Sequence, residues 1–123
     1  MQPQVVRYLT LQNYQIRSVA DTASHQHGID IVAEIKGKQL WISVKGYPVG
    51  TYKTRATTQA GHWFKQVIFD VIKYREKDKN VSVAIALPDF PRYQSLANQI
   101  SWFKPVANFT YFWVKENGEV TTE

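Results

Sequence analysis

Apolar residues recur along this chain with two periods. Pro3 suits the first turn of a helix, and Val5, Val6, Leu9 and Ile16 follow at roughly helical spacing with Tyr8 beside them, which predicts a helix from about Pro3 to Asn13. Gln15–Ala20 reads as a short strand and Asp21–His27 as a polar loop. The period then drops to two. Ile29, Ile31, Ala33 and Ile35 alternate with Asp30, Val32 and Glu34, and Leu40, Ile42 and Val44 alternate with Trp41, Ser43 and Lys45. Gly37, in the join between the two runs, suits a primed hairpin turn. A turn that pairs Lys36 with Gln39 sets Val32 opposite Ser43 and Asp30 opposite Lys45. The isoleucines, Ala33, Leu40 and Val44 then share one face, and Asp30, Val32, Glu34, Trp41, Ser43 and Lys45 share the other.

Gly46–Ala56 reads as a basic loop and Thr57–Asp78 as a long helix. Phe64, Val67, Ile68, Val71 and Ile72 line one face of that helix, Trp63 and Tyr74 lie at its margin, and Phe69 falls off the stripe toward a partner. Val81–Leu87 is nearly all apolar, as in a strand covered on both faces. Pro91–Phe103 is expected to be a helix, Phe109–Lys115 a strand, and Asn117-Gly118 a turn before a short last strand. The order αβββαβαβ(β) calls for an α/β fold, a mixed central sheet flanked by helices.

At 123 residues, the pattern fits a single domain over residues 1–123. The absence of cysteine removes disulfides, thiolate metal sites and Cys nucleophiles, and fits a cytoplasmic protein. The sequence shows no apolar run of membrane-spanning length and no signal-peptide layout at its start, so no membrane partner is expected. The formal charge is +5, and its distribution is uneven. Lys36 to Lys79 holds ten Lys and Arg against three Asp and Glu, a net +7, while the rest of the chain is net negative. A basic segment of this kind suits a polyanion such as nucleic acid, or else simply solvates a helix and a loop. Walker, dinucleotide, nucleophile-elbow and HExxH motifs are absent.

An Asp beside a Lys on the polar face of a hairpin reads first as a cross-strand ion pair, but it also has chemical potential, because a carboxylate on a sheet can hold Mg²⁺ while a Lys positions water and counters phosphate charge. The segment GIDIVAEIKGKQLWISVKGYP, residues 28–48, resembles the active-site hairpin of the PD-(D/E)XK, or restriction-endonuclease-like, nuclease superfamily. Asp30 matches that superfamily's first Asp. Val44 and Lys45 match the last two members of its acidic-x-Lys triplet, and Gly28 stands where Pro or Gly often precedes. The core order αβββαβ matches over residues 3–87. The resemblance implies Mg²⁺, or Mn²⁺, held by Asp30 and the Val44 carbonyl, with Lys45 positioning water for attack on a phosphodiester of DNA or RNA. It also implies a homodimer, since one small core grips little duplex. Two departures stand out. Ser43 occupies the position of the triplet's acid, where its hydroxyl is a poor ligand, and no Asp or Glu precedes Asp21, so the first-helix Glu of many members is missing. Restoring the triplet with Ser43→Glu is expected to raise metal affinity and cleavage together.

Glu34-Ile35-Lys36 repeats the triplet's spelling, but about 13 Å of strand separates Glu34 from Asp30. Asp89, in Pro88-Asp89, reads as a turn or cap residue. His25 and His27 could add imidazoles beside Asp30 but lack a third strong ligand, and loop polarity explains them better. Gln59 and His62 lie near the start of the long helix, where the superfamily often places a polar residue facing the site. Tyr47, Tyr52, Lys53 and Arg55 interleave aromatic and basic groups in the loop after Lys45, a composition suited to stacking and phosphate contact or equally to an ordinary solvated loop. Trp41 is expected to pack on the long helix or on a neighbouring subunit rather than to stack on a base. Three readings follow. The first is a metal-dependent nuclease, the second a catalytically degenerate nuclease fold that binds nucleic acid, and the third a protein-interaction module.

Overall fold

The computed structural model describes residues 1–20 and 28–123. Its elements are α1 (Gln2–Leu11), β1 (Gln15–Val19), β2 (Ile31–Ile35), β3 (Lys38–Val44), α2 (Ala56–Lys77), β4 (Ser82–Pro88), α3 (Pro91–Gln99), α4 (Phe103–Ala107), β5 (Thr110–Val114) and β6 (Val120–Thr122). The six strands form one mixed sheet in the order β1-β2-β3-β4-β5-β6. β3, β4 and β5 run parallel, and the remaining pairs are antiparallel. The fold is α/β, and α1–β1–β2–β3–α2–β4 follows the order αβββαβ.

The β2–β3 turn differs from the expected one by two residues. Lys36 and Gly37 are its central pair, with φ of 50° and 78°, and Ile35 faces Lys38. A primed turn of this kind wants Gly at its second central position, so Lys36 takes the left-handed conformation and Gly37 follows it. The ladder therefore pairs Val32 with Trp41 and Ile31 with Ile42, and its extension brings Asp30 to Ser43 rather than to Lys45. A shift of two keeps every side chain within the strands on its expected face.

Val5 and Leu9 of α1 pack on Ile31, Ala33, Leu40, Ile42 and Val44. On the opposite face, α2 and α3 cover Val83, Ile85 and Leu87. β4 is thus buried on both sides, as its apolar run requires. Ile29 departs from the expected alternation and packs on the α2 side, because β2 begins only at Ile31. On α2, Phe64, Val67 and Val71 are buried as expected, while Ile72 is half exposed and Tyr74 is buried. Phe69 is exposed, and the Lys73 ammonium lies over its ring. Trp41 meets Tyr74 of α2 edge to face, with ring centres 5.8 Å apart.

The helix expected over Pro91–Phe103 ends at Gln99, and a separate turn of helix follows. Ile100, at φ −122° and ψ 38°, leaves the helical region and closes α3, and Pro105 fits the helix that starts afresh. That proline lies in the first turn of α4, where its missing N–H has no intrahelical partner to lose. In a continuous helix that N–H would be needed. Among the described residues, no helix is long and apolar enough to cross a membrane.

Candidate metal and phosphate site

β2 runs against β3, and β3 runs with β4, so the entry to β2 and the exits of β3 and β4 share one edge of the sheet. Asp30 stands at that entry. Its backbone carbonyl accepts the Ala20 N–H at 2.7 Å, and its Oδ2 accepts the Val44 N–H at 2.8 Å. The carboxylate is therefore fixed against the last residue of β3. N–H and C=O of one strand residue point the same way, so the Val44 carbonyl also faces Asp30. The Lys45 N–H, one residue on, turns to β4 and reaches the Ala86 carbonyl at 3.1 Å.

Ser43 is fully buried, with 0% of its surface exposed. Its hydroxyl donates to Oδ2 of Asp70, on α2, at 2.7 Å. Asp70 thus brings a carboxylate to the position beside Lys45 where the chain's own triplet lacks one. Its Oδ1 lies 3.3 Å from the Lys73 ammonium. Tyr74 sits one turn further along α2, against the Asp30 backbone and the Ser43 side chain; burial, then the charges of Asp70 and Asp30, push its hydroxyl pKa far up. The Asp30 carboxyl is also raised. Burial is the main cause and Asp70 adds to it, against the Val44 N–H and Lys45, which favour the ionised form. The Lys45 ammonium lies 6.0 Å from the ring centre of Trp63, two turns before Asp70 on α2. Among the described residues, no ion pair joins Asp30 to Lys45.

Asp30, Ser43, Val44 and Lys45 therefore come together, joined by Asp70, Tyr74 and Trp63. The donors are all oxygens: two carboxylates, a hydroxyl and a backbone carbonyl. They suit a hard cation such as Mg²⁺, which keeps several waters and takes one or two carboxylates. Among the described residues, no three His, Asp or Glu gather into a fuller cluster. Tyr52, Lys53, Arg55, Gln59 and His62 do not converge on the carboxylates. At 1.5 Å per residue, Arg55 lies about 22 Å and His62 about 12 Å from Asp70 along α2. The Gln59 side chain is engaged, accepting the Gly50 N–H at 3.0 Å. His62 is exposed on the surface of α2. His25 and His27 lie outside the described residues. Glu34 sits at the far end of β2 and pairs with Arg17, and Asp89 accepts a hydrogen bond from the Gln94 side chain.

The fold has solved counterparts. One is an FdxN element excision controlling factor protein from Anabaena variabilis, with 15% identity, a TM-score of 0.59, and coverage of 98% of this chain and 94% of that one. Another is an XisH family protein from Nostoc punctiforme, again at 15% identity, with a TM-score of 0.57 and coverage of 92% and 89%. At that identity the likeness concerns the fold. No family model matches the chain, and no curated protein matches it in sequence.

Sequence reasoning missed Asp70. A signal for it exists in the periodicity. Asp70 falls three residues after Val67 and four before Tyr74, which places a carboxylate on the buried margin of an apolar stripe. Such a residue needs a partner from the sheet, and Ser43 is that partner.

Proposed function

We propose that the chain is a divalent-metal-dependent nuclease whose second carboxylate comes from α2 rather than from the strand. The observation that carries this reading is the 2.7 Å contact of Asp70 with Ser43, beside Lys45 and across from Asp30. Asp30, Asp70 and the Val44 carbonyl would hold Mg²⁺ or Mn²⁺. When bound, such an ion polarises a phosphoryl oxygen and makes a bound water acidic. The raised pKa of Asp30 supports the fit, because a cation between two crowded carboxylates relieves both burial and repulsion. Lys45 would orient the attacking water and counter the charge that builds on the phosphate. Trp63 would keep the Lys45 side chain over the site. The substrate is a nucleic-acid phosphodiester, and the name of one structural neighbour, an excision controlling factor, points the same way.

The test is cleavage of labelled single- and double-stranded oligonucleotides with Mg²⁺, with Mn²⁺ and with chelator. Wild type is expected to cut only with a divalent ion. Asp30→Asn, Asp70→Asn and Lys45→Ala should each slow cleavage by about 100-fold or more. Cleavage unchanged in Asp30→Asn and Asp70→Asn would overturn the assignment. One observation favours a second reading, a nuclease fold that binds without cutting. Lys73 and Ser43 already satisfy Asp70 within the protein. Metal-independent binding with no cleavage under any condition would select it.

A further inference from the structure

The loop between β3 and α2 is tied down on both sides of its exposed residues. Gly46 accepts the Tyr93 hydroxyl at 3.1 Å, and the Tyr47 ring lies 6.4 Å from that of Phe90. Gly50 donates to Gln59. It has φ of 73°, and a Cβ there would come within 2.9 Å of the Ala56 nitrogen. Thr51 and Thr54 exchange backbone hydrogen bonds at 2.7 and 3.3 Å, and the Thr51 hydroxyl accepts the N–H groups of Lys53 and Thr54. This bracing holds two apolar side chains in water. Val49 is 85% exposed and Tyr52 is 94% exposed. The Lys53 ammonium stands 5.4 Å from the Tyr52 ring centre, and Arg55 immediately precedes α2. A turn fixed in this way has little ordering entropy left to lose when its tip meets a partner.

We propose that Tyr52 is a preformed prong that stacks on an unpaired base, with Lys53 and Arg55 on the adjacent phosphates, so that the protein selects nucleic acid with single-stranded character over intact duplex. An aromatic face serves any base, and the flanking cations match the phosphates on either side of it. In a closed duplex both faces of every internal base are already stacked, so the prong has nothing to bind. The prong belongs to the loop that leads into α2 through Arg55, which lies about 22 Å from Asp70 along the helix axis. It would engage the strand away from the carboxylates rather than at them. This inference rests on the nucleic-acid part of the proposed function and needs no catalysis.

The experiment is fluorescence anisotropy in chelator, with a labelled single-stranded oligonucleotide, a blunt duplex and a duplex carrying a single-stranded overhang. Wild type should bind the first and third more tightly than the second. Tyr52→Ala should weaken binding to those two by about 5- to 150-fold, the range for truncating one base-stacking aromatic, and change blunt-duplex binding less than twofold. Tyr52→Phe should keep the preference. Gly50→Ala, which splays the turn with Tyr52 in place, should lose part of it. Equal loss on all three ligands in Tyr52→Ala, or no loss, would overturn the prong while leaving the nuclease reading intact. Failure of wild type to bind any of the three would overturn both. Loss of cleavage in Asp70→Asn with the binding preference retained would support the prong as a separate element.

Discussion

Asp30 accepts a hydrogen bond from Val44 and feels the charge of Lys45, yet its pKa is raised, because burial and Asp70 outweigh both. A carboxyl whose pKa is higher folded than unfolded contributes stability below the unfolded value and loses it as pH rises through the folded one. Asn at position 30 keeps an acceptor for Val44 and carries no charge. In chelator, Asp30→Asn should therefore match wild type at about pH 4 and exceed it in melting temperature at about pH 8. Saturating Mg²⁺ should reverse that order by stabilising wild type, by about 2.7 kcal/mol at 100 times its Kd. Thermal melts at both pH values with and without Mg²⁺ measure this directly, and a wild type more stable than Asp30→Asn at pH 8 in chelator would contradict it. Ser43→Glu needs reassessment on the same grounds. Ser43 is buried against Asp70, so a Glu there adds charge to an occupied space and should destabilise the metal-free protein by about 3–5 kcal/mol instead of activating it. The exchange Ser43→Glu with Asp70→Ser moves the acid to the strand and should recover both stability and metal-dependent cleavage. Denaturant titration and the cleavage assay on the single and double variants decide between these outcomes.

At the scale of elements, the strands and α2 were legible because period and burial coincide there. The two-residue alternation of Ile31–Ile35 and Lys38–Val44 survives an error in the turn, since a shift of two preserves faces. The α3–α4 break was less legible, because apolar spacing continues past Gln99 and nothing in the local sequence marks Ile100 as the end of a helix. The candidate site was legible where the β2–β3 hairpin carries it, at Asp30, Val44 and Lys45. Asp70 was not, because its role depends on how α2 lies across the sheet, which no local pattern specifies. Arg75 teaches the same lesson. In sequence it is one more cation of a basic helix end, but its guanidinium donates to the carbonyls of Ala107, Asn108, Lys79 and Val81, joining the end of α2 to the start of β4 and the end of α4. Arg75→Lys keeps the charge but loses the fork that reaches several carbonyls at once. It should cost about 2–3 kcal/mol in chemical denaturation with little effect on nucleic-acid affinity. A loss of affinity without a loss of stability would instead make Arg75 a binding residue.

Over the whole molecule, the basic segment divides between two ends of the sheet. Lys45, Lys53 and Arg55 lie at the edge where β3 exits and α2 begins. Lys36 and Lys38 lie at the opposite edge, where Gly37, Lys38 and Gln39 line one cleft with Glu34, Asp78, Asn80 and Ser82. Arg75, Lys77 and Lys79 are at that same end, because α2 has to return there to reach β4. Lys65 and Lys73 lie between these ends on α2, and Lys73 is already paired with Asp70. The +7 of the sequence is therefore not one surface, and of its ten cations a ligand lying along the site edge meets chiefly Lys45, Lys53 and Arg55. Counterion release turns this division into a number. With three phosphate contacts, the slope of log affinity against log salt should be about −2.7 on duplex and about −2.1 on single strands. Lys53→Ala with Arg55→Ala should remove most of that slope, whereas Lys36→Ala with Lys38→Ala should leave both slope and affinity unchanged. Anisotropy titrations across a salt series, in chelator, measure all three proteins. A slope near −6 in wild type, reduced by the Lys36 and Lys38 changes, would mean that nucleic acid spans the sheet from end to end and that the far edge belongs to the binding surface.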